Sequence, residues 1–312
     1  MADRTLERPL VIHVGLHKTG TTWLQGQLSG PRYQRDLAFC GDIGFIYRQF
    51  LVPDEQEFSP DRTRAAFCDW WAPKIEGRQA ILVSGENLGG RPFHARHMRE
   101  VTAARIAKTF PEAHILITLR EQAAIIYSMY GQYLRFGYTS SLSEFLQRPP
   151  PDSSFQPVLN RAFYDYARLL NLYEEVFPRE RVMVAPSEWF FADPDAFTER
   201  LNARLGTSLP PLRKQARDSV ANPAWSDLAY GALRHLNRFN SQDSRWQRPG
   251  GRLGANAMAA RIDRLTPAVL KRRMRAARMD MIRREIGDEY AASNRELAQR
   301  IGVDLGRFGY VV

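Results

Sequence analysis

Apolar runs of six or seven residues alternate along the chain with segments of helical pattern. The runs are "LVIHVGL" (10–16), "QAILVS" (79–84), "AHILITL" (113–119) and "RVMVAP" (181–186). They are apolar throughout rather than at every second position, which is typical of strands covered on both faces. Helical patterns lie near 21–29, 96–109, 121–136 and 160–176. This alternation predicts an α/β fold with a central parallel sheet flanked by helices.

The C-terminal third has a mainly helical pattern. Pro- or Gly-rich stretches at 147–157 and 244–254 predict surface loops. No shift in composition marks a boundary, so we expect a single domain over residues 1–312. A helix is predicted from Thr266 to Glu285, packed by an apolar stripe of Leu270, Met274, Ala277 and Met281.

Composition narrows the class of protein. With 44% hydrophobic residues a chain of 312 can bury a core, and no apolar run is long enough to span a bilayer. The N-terminal "MADRTLERPL" does not have the pattern of a secretory signal. The two cysteines, Cys40 and Cys68, form no CxxC motif, which disfavours a disulfide scaffold or a zinc site. We therefore expect a cytoplasmic protein that needs no metal.

A phosphate-binding loop is predicted directly after the first strand. "GLHKTGTT" (15–22) keeps the glycine spacing of a P-loop and opens a helix. Backbone N–H groups at such a helix start point at one anion, which the helix dipole also favours. The candidate phosphate-binding residues are Lys18, Thr19, Gly20, Thr21 and Thr22. The alternative is an ordinary strand-to-helix turn capped by threonine.

The position of the lysine separates this loop from the nucleotide-triphosphate type. In G-x-x-x-x-G-K-[ST] the lysine follows the second glycine, whereas Lys18 lies three residues before that position. No later strand ends in the aspartate that would hold Mg²⁺. A P-loop nucleotide or small-molecule kinase is therefore the alternative rather than the preferred interpretation.

The loop "HKTGTT" followed by "WLQ" resembles the 5′-phosphosulfate loop of the sulfotransferases that use 3′-phosphoadenosine 5′-phosphosulfate (PAPS). The resemblance extends in pieces over 10–28, 79–87, 113–135, 181–206 and 286–305. It implies a P-loop NTPase-like sulfotransferase fold, PAPS as donor, and adenosine 3′,5′-bisphosphate as product. It also implies an arginine at a strand end and a serine eight residues later for the 3′-phosphate, which Arg120 and Ser128 match.

The same resemblance implies a base at the end of the second predicted strand. Glu86 in "ILVSGENLGG" falls there, and we expect partial burial to raise its pKa towards a useful value. His17 inside the loop is the rival base. The late "SRWQRPGGRLG" resembles loosely the loop that closes over the 3′-phosphate, which makes candidates of Arg245, Arg248 and Arg252.

Net charge is +10, and nine Lys/Arg against three Asp/Glu fall between Arg261 and Glu285. A basic chain favours an anionic partner. Nucleic acid is disfavoured because no known binding module is present. The resemblance implies a hydroxylated acceptor such as a saccharide, a glycoconjugate or a lipid-linked saccharide. Packing of the basic helix is the preferred interpretation, with contact to an anionic acceptor or a membrane surface as alternatives.

Overall fold

The computed structural model describes residues 8–90, 98–147, 159–214, 224–239 and 249–312. The chain divides into two compact units. The first unit comprises Met1–Glu121, Ala162–Ala221 and Ala291–Val312, and the second comprises Gln122–Arg161 and Asn222–Tyr290. The single domain over residues 1–312 stays a prediction.

A five-stranded sheet forms the centre of the first unit. Its strands are β1 (Leu10–His13), β2 (Leu37–Cys40), β3 (Ala80–Ser84), β4 (His114–Leu119) and β5 (Val182–Pro186). The order across the sheet is β2-β3-β1-β4-β5, and every pair is parallel. Nearly all strand side chains are buried, as expected of strands covered on both faces. The predicted α/β class with a central parallel sheet is confirmed.

Helices connect these strands and complete the first unit. They are α1 (Thr21–Leu28), α2 (Ile43–Ile46), α3 (Pro60–Ile75), α4 (Arg99–Thr109), α7 (Tyr166–Glu174), α8 (Ser187–Ala192), α9 (Pro194–Leu205) and α13 (Ala291–Ile301). A π-helical turn, Tyr47–Leu51, follows α2, and 3₁₀ turns occur at Glu86–Gly89, Arg161–Tyr164, Arg179–Arg181 and Gly306–Phe308. Asp193 caps α9 through the N–H of Ala196, and Pro194 occupies its first turn.

The second unit is helical. It contains α5 (Gln122–Arg135), α6 (Leu142–Leu146), α10 (Asp227–Asn237), α11 (Pro249–Leu265) and α12 (Ala268–Ile286). The helix α5 packs against α10 and α12, and α10 packs against α11. The helical C-terminal third is therefore confirmed, whereas the predicted loop over 244–254 is wrong from Pro249 onwards, where α11 begins.

The basic helix α12 does not pack by the predicted stripe. Leu270 is 39% exposed, Ala277 is exposed, and Met274 and Met281 are partly exposed. The buried side chains are Met279, Ile282 and Ile286. Two apolar stripes at helical spacing compete in this sequence, and the fold buries the later one.

The two cysteines are buried thiols rather than a disulfide. Cys40 lies on β2, and burial raises the pKa of its thiol to about 12. Cys68 lies on α3. The prediction that the chain has no disulfide scaffold is confirmed. No helix within the described ranges is both long and apolar enough to cross a bilayer.

Candidate active site

Three neighbouring strands bring the candidate residues of the first unit to one edge of the sheet. The phosphate loop follows β1, Glu86 follows β3, and Arg120 follows β4. Because β1 lies between β3 and β4 in a parallel sheet, their carboxyl ends meet at the same edge. The connection after β1 leads to one side of the sheet, towards β2, and the connection after β4 leads to the other side, towards β5. Open α/β sheets bind ligands at such a point.

The phosphate loop has an unusual backbone. Lys18 has φ 68° and Gly20 has φ 83°, both in the left-handed region. That conformation is strained for a lysine and natural for glycine, and such strain concentrates at functional sites. Gly20 is the N-cap of α1, and its left-handed conformation ends the loop where the helix begins.

Close packing explains both glycines of the motif. A Cβ on Gly20 would lie 2.8 Å from a ring carbon of Phe191. A Cβ on Gly15 would lie 2.7 Å from the hydroxyl of Thr21 and 2.8 Å from both His13 Nε2 and the hydroxyl of Thr118. Neither glycine could carry a side chain unless these neighbours moved. The first N–H groups of a helix have no intrahelical partner. These residues fit a bound phosphate group.

A chain of hydrogen bonds, buried except for the part-buried bond from Gln25, links the central strands to Thr19 in the phosphate loop. Gln25 Nε2 donates to Ser84 Oγ (2.9 Å), and Ser84 Oγ lies 2.8 Å from His13 Nδ1. His13 Nε2 lies 2.9 Å from Thr118 Oγ1, which lies 2.9 Å from Thr19 Oγ1. Thr19 Oγ1 donates to the carbonyl of Leu16 (2.7 Å). The chain runs through β3, β1 and β4 into the loop.

The direction of this chain determines the tautomer of His13. Thr19 has one hydroxyl proton and gives it to a carbonyl, so Thr118 must donate to Thr19 and His13 Nε2–H must donate to Thr118. Nδ1 then accepts from Ser84. A second proton on the ring would turn Nδ1 into a donor, and the hydroxyl proton of Ser84 would have to rotate away from it. Burial, partly opposed by the charge of Glu86, lowers the pKa of His13 to about 4, in keeping with a neutral ring.

His17 and Glu86, the two rival bases, form a pair. His17 Nδ1 lies 3.1 Å from Glu86 Oε2, and both side chains are partly exposed. Burial acts to raise the pKa of Glu86, but the hydrogen bond from His17 and the charges of His17, Lys18 and His13 outweigh it. The pKa of Glu86 therefore lies below its ordinary value. The expectation that burial would raise it is wrong, because that expectation left out the cations of the loop.

Arg120 lies beside the loop. Its guanidinium Nη1 donates to the carbonyl of Lys18 (3.0 Å), and its own carbonyl accepts from the hydroxyl of Tyr166 (2.6 Å). The guanidinium of Arg120 thus contacts the backbone of the phosphate loop at Lys18, 102 positions earlier in the sequence. The hydroxyl of Thr19, by contrast, is wholly buried and serves the loop itself.

The other candidate residues differ in burial and in their place in the fold. Thr21 is buried and Thr22 is exposed in the first turn of α1. Ser128 is partly exposed in the second turn of α5, in the second unit, and its role at a 3′-phosphate stays a prediction. Arg245 and Arg248 lie outside the described residues, and of Arg252 only its place in α11 is described.

No group of three or more His, Cys, Asp or Glu side chains suited to a metal occurs within the described part of the chain. The prediction that the protein needs no metal stays a prediction.

Sequence reasoning missed His13. It lies inside the apolar run of β1, where a lone histidine gives no signal of its own. The polar positions Ser84 and Thr118 at the ends of two other apolar runs are the only hint that the sequence contains.

Comparison with known proteins adds a similarity to solved structures. No protein-family model matches the chain, and no curated protein is similar enough to count as a relative. A sulfotransferase from Alicyclobacillus acidocaldarius is 22% identical with a TM-score of 0.49, over 85% of this chain and 99% of that one. The sulfotransferase domain of the Synechococcus PCC 7002 olefin synthase is 13% identical with a TM-score of 0.41, over 81% and 94%.

Proposed function

We propose that the chain is a sulfotransferase that moves a sulfuryl group from PAPS to a hydroxyl acceptor. One observation supports this most. The loop with its displaced lysine, the His17–Glu86 pair and Arg120 follow three adjacent parallel strands, so the residues proposed as anion clamp and as proton acceptor lie at one sheet edge. Transfer from a nucleotide donor to an alcohol needs both an anion-binding site and a proton acceptor.

The loop residues would hold the 5′-phosphosulfate. The backbone of Lys18, Thr19, Gly20, Thr21 and Thr22 is the anion cradle, as the left-handed turns at Lys18 and Gly20 favour. When bound, the donor supplies a sulfur–oxygen bond that breaks at its phosphate as a new one forms to the acceptor oxygen. The ammonium group of Lys18 would neutralise the charge left on the phosphate, which is the largest electrostatic contribution the loop can make.

Arg120 would bind the 3′-phosphate, as the resemblance implies. A guanidinium suits a phosphate by its charge and its planar fork of donors. One of its nitrogens donates to the carbonyl of Lys18, which links the guanidinium to the backbone of the phosphate loop. Ser128 and the arginines at 245, 248 and 252 are carried from the resemblance alone.

His17 is the proton acceptor in this proposal, and Glu86 orients it. If Nδ1–H of His17 donates to Glu86, Nε2 keeps a lone pair for the acceptor's proton. A carboxylate whose pKa is lowered is a weaker base than one in an apolar pocket. The pair therefore favours the histidine, in place of the glutamate that the sequence favoured.

The acceptor in this proposal is a carbohydrate or glycoconjugate hydroxyl. This choice comes from the resemblance, in which a glutamate at the position of Glu86 accompanies carbohydrate acceptors. A screen of hydroxylated compounds with isotopically labelled PAPS, with products detected by mass spectrometry, identifies the acceptor. Transfer to amines alone would contradict the choice of a hydroxyl.

The donor is tested by thermal shift with adenosine 3′,5′-bisphosphate against ATP–Mg²⁺. A ligand at about 100 times its Kd stabilises a protein by about 2.7 kcal/mol. We expect that stabilisation with the bisphosphate for the wild type and for the exposed-surface control Arg32→Ala.

Arg120→Ala should weaken bisphosphate binding by about tenfold or more, since a charged hydrogen bond contributes about 1.5–3 kcal/mol. Lys18→Ala should reduce transfer by about 10²–10³-fold.

A larger shift with ATP–Mg²⁺ than with the bisphosphate would contradict the sulfotransferase and favour the kinase. Equal bisphosphate affinity in Arg120→Ala and the wild type would remove Arg120 from the donor site.

A further inference from the structure

The turn between α11 and α12 exposes apolar side chains to solvent. Leu265, at the end of α11, is 75% exposed, and Val269, in the first turn of α12, is 68% exposed. Leu270 follows at 39%, and Met258 on α11 is 53% exposed. We call residues 264–273 the α11–α12 tip. Aliphatic side chains grouped in this way mark a surface that binds something.

The first half of α12 leaves its apolar side uncovered. Residues 268–278, all of them described, include no buried side chain, and burial begins at Met279. The stripe that starts with Leu270 and Met274 is therefore not used to pack the helix within its unit. This is the stripe that the sequence predicts as the packing face.

The tip is also strongly basic. From Arg264 to Met279 the sequence contains six Lys/Arg and no Asp/Glu. Lys271 is paired with Asp263 (2.9 Å), and Arg278 is paired with Asp227 (3.0 Å). Arg264, Arg272 and Arg273 are exposed, and no carboxylate among the described residues lies within ion-pairing distance of them. Three exposed arginines therefore lie near the apolar side chains without a paired carboxylate among the described residues.

We infer that the α11–α12 tip binds the surface of an anionic lipid bilayer. An interfacial helix combines aliphatic side chains, which enter the boundary of the acyl chains, with arginines that contact anionic headgroups. The tip has both, since Leu265, Val269 and Leu270 are followed by Lys271, Arg272 and Arg273. This binding surface is independent of the proposed catalytic activity.

Charge and polarity favour a bilayer over other occupants. A second copy of the chain would bring its own arginines against these arginines, and like charges in contact oppose association. Nucleic acid would satisfy the arginines through phosphates but would leave Leu265 and Val269 without an apolar partner. A bilayer surface with anionic headgroups satisfies both kinds of side chain.

The test is co-sedimentation of the full chain with vesicles of phosphatidylcholine alone and of phosphatidylcholine with 30% phosphatidylglycerol. We expect binding to the anionic vesicles only, and weaker binding as salt is raised. Arg272→Gln/Arg273→Gln should lower the partition coefficient by about 25-fold, at about fivefold per charge. The control Arg32→Gln/Arg35→Gln removes the same two charges from exposed positions of the first unit and should stay within about twofold of the wild type.

A second pair of variants tests the apolar contribution. Val269→Ser should lower the partition coefficient by about threefold to tenfold, as expected for lost burial of an aliphatic side chain. Val52→Ser is the control, because Val52 is also 68% exposed but lies in the first unit. Circular dichroism of each variant confirms that it is folded.

Three results would overturn the inference. The first is no binding to anionic vesicles at low salt. The second is equal binding by the wild type and the tip variants. The third is a dimer, measured by light scattering without vesicles, that Val269→Ser converts to a monomer, because the surface would then belong to a second copy.

Discussion

At the residue scale, the contact between His17 and Glu86 matters most for chemistry. The loop supplies the imidazole, and the turn after β3 supplies the carboxylate, so two strands must pair in register for the contact to exist. The lowered pKa of Glu86 keeps this side chain ionised at neutral pH, where it can orient the imidazole by accepting its Nδ1–H. The two side chains act as one unit in the proposed reaction.

Substitution of each partner separates their roles. We expect His17→Gln to lower kcat by about 10²–10⁴-fold, the contribution of a general base. Glu86→Gln should lower it less, because the amide oxygen can still accept from Nδ1. Both variants should bind adenosine 3′,5′-bisphosphate with wild-type affinity, as measured by calorimetry.

The opposite ranking of the two variants would reassign the base. If Glu86→Gln lost more activity than His17→Gln, the glutamate would be the base, as the sequence first indicated.

These residues also show what the sequence could and could not predict. The loop motif and the eight-residue spacing from Arg120 to Ser128 indicated candidate binding residues by resemblance, because both are signals within a few consecutive positions. The His17–Glu86 pair and the lowered pKa depend on which strands are neighbours. A pattern along one chain carries no information on that adjacency until the strand order is known.

At the element scale, the phosphate loop depends on the left-handed glycine that starts α1. Gly20→Ala should be destabilising by about 1–3 kcal/mol and should abolish bisphosphate binding, because φ 83° and the contact with Phe191 both exclude a Cβ. Gly26, exposed within the same helix with nothing within 4 Å of a Cβ, is the matched control. Gly26→Ala should be stabilising by about 0.5–1 kcal/mol. Urea denaturation measures both.

Equal effects of the two substitutions would contradict the cradle geometry. The same glycine-to-alanine change is expected to have opposite signs only because one site is left-handed and crowded and the other is helical and open.

The hydrogen-bond chain under the loop predicts a dependence of stability on pH. The pKa of His13 is lowered to about 4 in the folded protein, while the unfolded chain binds a proton near 6.5. The unfolded state therefore gains protons first, and stability falls as pH drops from 6.5 towards 4, by about 3 kcal/mol in total. His13→Asn should lose this part of the pH dependence, whatever its absolute stability.

The measurement is the difference between the free energies of unfolding at pH 7.5 and pH 4.5. His235→Asn, at an exposed histidine, should keep the wild-type difference. If His13→Asn shows the same difference as the wild type, protonation of the buried imidazole does not cause the pH dependence.

Four strands and the helices α1, α4, α5 and α7 agree with the predicted segments to within a few residues. The helix α3 (Pro60–Ile75) was not predicted. The strand β2 was missed, because Leu37–Cys40 is only four residues long and lacks a clear period. The packing face of α12 was misjudged because its two stripes have the same spacing, and only the neighbouring helices α5 and α10 decide between them.

At the scale of the whole molecule, the proposed chemistry needs cations from side chains rather than from a metal. We expect the initial rate of transfer and the Tm to be unchanged after treatment with EDTA, and Mg²⁺ should not raise the rate above that of the EDTA-treated enzyme. A P-loop kinase would lose activity, because Mg²⁺ bridges its phosphates. Loss of transfer on chelation, with recovery on adding Mg²⁺, would contradict the proposal.

The burial of both thiols has a practical consequence for experiments on this chain. Maleimides react with thiolates, and Cys40 is a buried thiol with a raised pKa, while Cys68 is buried on α3. We therefore expect the two native cysteines to react slowly with maleimides while the protein is folded. A fluorophore attached through Thr22→Cys, at the exposed start of α1, would then report from one known place beside the loop.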